Sequence, residues 1–180
     1  MWFAQRLLFA NRRVWFLDET GVNLSLTRKY ARSFGGSRAS GNMPKNYGQG
    51  VTLLGVMNGN GELATLEVRG ATDELVMLAF INEVLSGVLL PGDCLVMDNL
   101  TSHKTRRVQT ALAALGVEVH YLPPYSPDLN PIEKCWSKLK TYLRTKAARS
   151  YEKLSEAISE GLQTITAADA GNWIRHCGYV

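Results

Sequence analysis

Several features are scarce in this sequence, and each scarcity removes a class of protein. Cysteine occurs only at positions 94, 135 and 177 of the 180 residues. So few, odd in number and far apart, these thiols argue against a disulfide framework and a cysteine-based zinc site, and they fit a reducing, cytoplasmic setting. Long apolar runs are missing, since no stretch reaches the roughly 18–20 residues that span a bilayer. The segment Met1–Ala10 is apolar, but Gln5 and Arg6 interrupt it and no small-residue cleavage site follows cleanly. It reads as the start of a helix rather than a signal peptide. Repeats and low-complexity tracts are absent as well. With 46% hydrophobic and 20% charged residues, the chain has the composition of a globular protein and the length of one domain.

Acid is missing locally. No Asp or Glu lies between Thr20 and Gly61, where Arg28, Lys29, Arg32, Arg38 and Lys45 fall. Between Asn99 and Val117 the only charges are Lys104, Arg106 and Arg107, and from Lys134 to Arg149 six basic residues occur with no acid. The net charge of only +4 conceals this segregation. One such run is an ordinary solvated helix face; three of them point to a polyanion partner.

The pattern of apolar runs and breakers gives the architecture. Val14–Leu17 reads as a buried strand ending in Asp18, with Asn23–Thr27 as a weak hairpin partner. The glycine-rich segment from Phe34 to Gly50, which includes Pro44, reads as a loop. Val51–Met57 and Leu63–Val68 flank Asn58-Gly59-Asn60-Gly61, a strong hairpin signal. Thr72 is the expected N-cap of a helix carrying Leu75, Leu78, Ala79, Asn82 and Leu85. Cys94–Met97 is a strand ending in Asp98. A helix is expected from about Lys104 to Leu115, then a strand at Val117–Leu122. Asn130-Pro131 opens a long helix, and another runs from about Glu152 to Ile165. The order predicts one mixed five-stranded α/β sheet flanked by helices. We expect a lead-in segment over 1–13, a core over 14–150 and a C-terminal helical extension of the same domain over 151–180.

Asp18 and Asp98 each close an apolar run. In open α/β sheets ligands gather outside strand ends. Either aspartate alone is explained as a turn cap. As neighbours, two carboxylates repel unless a hard cation such as Mg²⁺ neutralises them. Glu133 is the third candidate. It fits a capping box with Asn130, but it is also the lone acid of a basic helix. It lies beside the stripe Ile132, Trp136, Leu139, Leu143, with Lys140 and Arg144 on its own side.

These residues resemble a family. Tyr125-Ser126-Pro127-Asp128-Leu129-Asn130-Pro131-Ile132-Glu133, followed by Trp136 and Lys140, is similar to the signature of DDE transposases of the mariner-like and bacterial insertion-sequence superfamily. Val96-Met97-Asp98-Asn99 with His103-Lys104 resembles its second-aspartate motif, and Trp15-Phe16-Leu17-Asp18-Glu19-Thr20 its first. The 34 residues between Asp98 and Glu133 match the spacing of this branch.

The resemblance implies a ribonuclease H-like, retroviral-integrase-like fold. It also implies metal-dependent DNA cleavage and strand transfer in transposition. Asp18, Asp98 and Glu133 would be catalytic and would hold two Mg²⁺ ions, with Mn²⁺ possible, Asp18 bridging them. DNA, as transposon ends and target, is the implied partner. A homodimer in a DNA complex and a cytoplasmic, nucleoid-associated location follow. Asn99, His103, Lys104, Lys138, Lys140 and Arg144 are expected to contact DNA. With 17 residues before Asp18, the family's upstream helix-turn-helix module is expected to be absent from this chain. A non-catalytic remnant that binds DNA or regulates a full-length relative is the alternative, and the intact triad argues against it. A nuclease of another ribonuclease H-like branch fits the gap and signature poorly.

Other candidates carry less. Strand alternation turns Glu19 away from Asp18. His120 alternates within a strand and reads as a core histidine. Gly48-Gln49-Gly50 precedes a strand, so it is no phosphate loop. Tyr30, Phe34 and Tyr47 interleave with the basic loop and are candidates either for stacking on unpaired bases or for loop packing.

Overall fold

The computed structural model describes residues 9, 12–45, 47–100 and 104–179. The expected N-terminal helix and His103 lie outside the described residues. Five strands form one sheet: β1 (Val14–Val22), β2 (Val51–Asn58), β3 (Leu63–Arg69), β4 (Cys94–Met97) and β5 (Glu118–Tyr121). Their spatial order is β3-β2-β1-β4-β5. The first three strands pair antiparallel; β4 joins β1 in parallel and β5 joins β4 in parallel. This is the mixed sheet that the order of apolar runs predicts.

Alternation along the strands makes two cores. Trp15, Leu17, Leu54, Val56, Leu95 and Met97 face one side. They pack on α1 (Glu74–Phe80, continued by a π turn at Ile81–Leu85) and α2 (Arg106–Ala114). Phe16, Leu53, Met57, Cys94 and Val96 face the other. They meet α3 (Ile132–Lys146), α4 (Tyr151–Gln163) and α5 (Ala167–His176). The stripe Ile132, Trp136, Leu139, Leu143 is buried, as its spacing predicts. Gly161 lets α4 close on α3, because a Cβ there would come within 2.6 Å of Leu139. Among the described residues, no helix is long and apolar enough to cross a membrane.

Four details differ from the sequence reading. β1 runs on to Val22, so Asp18 lies inside the strand rather than at its end. Asn23–Thr27 is not a strand; the Asn23 side chain accepts from the Ser25 N–H at 3.0 Å and closes a turn. Asp73, not Thr72, caps α1, accepting from the Val76 N–H at 2.9 Å. The buried face of that helical segment is Met77, Phe80, Ile81 and Leu85, while Leu75 is exposed. A second apolar stripe, continued through a π turn that shifts the register, outcompetes the one starting at Leu75.

Candidate active site

Parallel pairing places the first two carboxylates together. β1 and β4 are in register from Val14↔Cys94 to Phe16↔Val96. Asp18 lies two residues beyond that register, continuing on β1 only against β2, where it pairs with Gly55. Asp98 follows the last residue of β4. Both therefore emerge where the parallel part of the sheet ends. Glu133 arrives from the first turn of α3. The three line one cleft of about 400 Å³, with Asn99, Pro123, Tyr125 and Asn130 among its other walls.

Trp136 was read only as core, and its indole has a second task. Its Nε1–H donates to Asp18 Oδ2 at 3.1 Å, in a buried contact. Gly55 makes room for this. A Cβ at residue 55 would lie 2.4 Å from the indole. A lone glycine in an apolar strand is the sequence signal for such a close approach. Asn130 was expected to cap α3. Instead its Nδ2 donates to Leu17 O at 3.4 Å. No side-chain cap closes the helix; the Glu133 N–H donates to the backbone carbonyl of Asn130 at 3.1 Å. The capping-box reading of Glu133 therefore fails, and its carboxylate lines the cleft.

The electrostatics are unfavourable for three bare carboxylates. Asp18 is only 8% exposed. Burial, then the charges of Glu133 and Asp98, push its pKa up to about 7, against the Trp136 hydrogen bond and a backbone bond that lower it. Glu133 sits at the exposed rim, yet lost solvation raises its pKa; Lys140 pulls it down and Asp98 adds to the rise. The oxygens are not all within 4.8 Å of one another. Such an acid-rich cleft fits divalent cations, which remove the repulsion and satisfy hard oxygen donors.

The expected DNA-contacting residues divide. Asn99 lines the cleft. Lys104 is exposed, its ammonium 4.8 Å from the centre of the Tyr121 ring. Lys140 acts on Glu133, as above. Arg144 joins Arg28, Lys29 and Arg149 along a groove of about 470 Å³, so two of the acid-free stretches meet in space. Lys138 is already engaged, donating to Thr164 O at 2.8 Å and to Asp169 Oδ2 at 2.6 Å. It ties α3 to α5. Tyr30, Phe34 and Tyr47 are all exposed, so packing inside the loop does not explain them. Tyr125 was a motif letter only. It is fully exposed at the cleft rim, with its backbone left-handed at φ 56°, a strain of the kind that gathers at functional sites.

Fold and cleft together define a ribonuclease H-like domain, a fold shared with the Mos1 transposase catalytic domain. The chain belongs to the DDE superfamily endonuclease family, whose model matches residues 13–155. A chain of a pre-cleavage Mos1 transpososome is 17% identical, with a TM-score of 0.79 over 96% of this chain and 56% of that one. The catalytic domain of Mos1 mariner transposase is also 17% identical, with a TM-score of 0.66 over 97% of this chain and 81% of that one. A chain from a simian T-cell lymphotropic virus intasome, solved with the PP2A regulatory subunit B56 gamma, is 14% identical; its TM-score is 0.58 over 82% of this chain and 47% of that one. At these identities the likeness is one of fold. This chain spans little more than half of the transpososome chain. No curated protein sequence matches it.

Proposed function

We propose that this chain is a transposase catalytic domain that cleaves DNA and transfers the cut strand. Asp18, Asp98 and Glu133 are the catalytic carboxylates and would hold two divalent ions, Mg²⁺ or Mn²⁺. The observation that carries this reading is the meeting of the three in one cleft, with Asp18 and Glu133 pushed toward protonation by burial and by neighbouring carboxylates. When bound, such a pair of cations supplies an activated water or 3′-hydroxyl and offsets charge on the leaving oxygen.

The chain's own residues do the rest. Asp18 is held by Trp136, which fixes one oxygen of the carboxylate. Lys140 limits the excess negative charge around Glu133. Arg28, Lys29, Arg144 and Arg149 offer a basic groove to DNA phosphates. The exposed Tyr125 ring offers a stacking surface at the cleft mouth. No side chain is required as a nucleophile, because water and the DNA hydroxyl serve that role. A pair of protomers would hold two DNA ends together, and Mos1 structures described as paired-end complexes fit that expectation.

The test is strand joining. With Mn²⁺ or Mg²⁺, an oligonucleotide carrying a free 3′-hydroxyl should become covalently joined to a plasmid target. DNA binding with neither cleavage nor joining in either metal would leave a DNA-binding protein without catalysis.

A further inference from the structure

At the opposite end of β4, one other set of metal-ligating side chains comes together among the described residues. Donor atoms of Cys94, Glu118 and His120 all lie within 4.8 Å of one another. Parallel register builds this cluster. Cys94 opens β4 and sits beside Glu118, which opens β5. His120 follows two residues later, on the same face of the sheet.

The surroundings prepare the cluster for a ligand. Cys94 is buried and not in a disulfide. The His120 side chain is 12% exposed, and its Nε2 lies 2.9 Å from Glu118 Oε1. Glu118 is thus the polar partner of that nitrogen, and the pairing helps to lower the Glu118 pKa, behind the Arg12 hydrogen bond. Arg12 holds the other carboxylate oxygen, Oε2, at 2.6 Å and is itself anchored on Gly92 O at 2.9 Å. Glu118 therefore keeps Oε1 turned to the imidazole. The Phe9 ring meets the imidazole edge-on at 5.0 Å and closes one side. The thiol, imidazole and carboxylate converge closely enough for one ion to replace the contact between His120 and Glu118.

We propose that Cys94, Glu118 and His120 form a second cation site, selective for a borderline-soft divalent ion, Zn²⁺ foremost. Thiolate, imidazole and carboxylate suit a tetrahedral zinc shell, with water in the fourth position. Mg²⁺ prefers oxygen donors throughout and is excluded by the sulfur and nitrogen. Binding displaces the thiol proton to solvent. Three residues of β4 lie between Cys94 and Asp98, a separation of roughly 13 Å in extended chain. The site shares no ligand with the catalytic cleft, and its role is to tie together the amino ends of β4 and β5.

Cobalt(II) titration of the whole chain, with a thiol-free reductant, tests this. A thiolate-to-cobalt charge-transfer band should saturate at one equivalent and be bleached by Zn²⁺. The oxygen-only cleft cannot produce such a band, so Asp98→Asn should leave it unchanged. Cys94→Ser should abolish it, and His120→Gln should weaken Co²⁺ affinity roughly tenfold or more. Absence of the band, or its survival in Cys94→Ser, would overturn the site. Should Cys94→Ser fail to fold, unchanged affinity in both His120→Gln and Glu118→Gln would overturn it equally.

Discussion

Replacing Asp18 by asparagine should make the metal-free protein more stable while destroying its activity. The folded protein raises the Asp18 pKa from the usual 3.8 to about 7. Between those values the unfolded chain has already released a proton that the folded chain retains. Stability therefore falls as pH rises through this window, and above it the whole cost of the buried charge is present. A shift of this size corresponds to about 4 kcal/mol. Asparagine carries no charge, and its amide oxygen can still accept the Trp136 N–H. In a chain of this length, about 4 kcal/mol corresponds to a rise in Tm of about 10 °C. Circular-dichroism melts in EDTA at pH 8 and at pH 4 measure it: a large gap at pH 8 should shrink at pH 4. Added Mg²⁺ should raise the Tm of the wild type more than that of Asp18→Asn. Equal stability of the two proteins at pH 8 in EDTA would refute the claim that the fold buries a repelled carboxylate.

Three further outcomes follow from the same geometry. Trp136→Phe removes the donor to Asp18 while keeping the ring; the cost should be about 1–2 kcal/mol, with a larger proportional loss in DNA cleavage than in DNA binding, read by nicking and by fluorescence anisotropy. Tyr125→Gly should relieve left-handed strain and raise stability by about 1 kcal/mol, yet reduce cleavage; unchanged cleavage would remove the ring from the substrate path. Neutralising Lys140 and Arg144 together should weaken DNA binding and flatten its dependence on salt, whereas Lys138→Met should lower the Tm and leave the salt slope unaltered, because Lys138 is spent on Asp169.

Much of this was legible because short apolar runs here are bounded by strong breakers. The Asn58–Gly61 turn and the strands around it appear where the pattern puts them. The carboxylates were legible through their motif spacing and their place beyond apolar runs. Other features depend on partners far away in sequence. The bond from Trp136 to Asp18 spans 118 residues, and a stripe that reads as core gives no hint of it. Lys138 looks like a free cation until α5 brings Asp169 to it. The sequence reading places no helix there, although Thr166 and Asp169, which form a capping box, carry its start signal. The Cys94–Glu118–His120 cluster exists only through strand register, so a sequence whose widely spaced cysteines argue against a cysteine-based zinc site gives no hint that one of them acquires ligand-type neighbours.

The most direct test of the central claim is nicking of supercoiled plasmid in Mg²⁺ or Mn²⁺, comparing the wild type with Asp98→Ala. Asp98 lines the cleft and is less buried than Asp18, so its removal should spare the fold, which a melting curve verifies. The wild type should convert supercoiled DNA to open circles only when the divalent ion is present, and Asp98→Ala should fail in both metals. Equal nicking by the two proteins would contradict the assignment of this cleft as the catalytic centre.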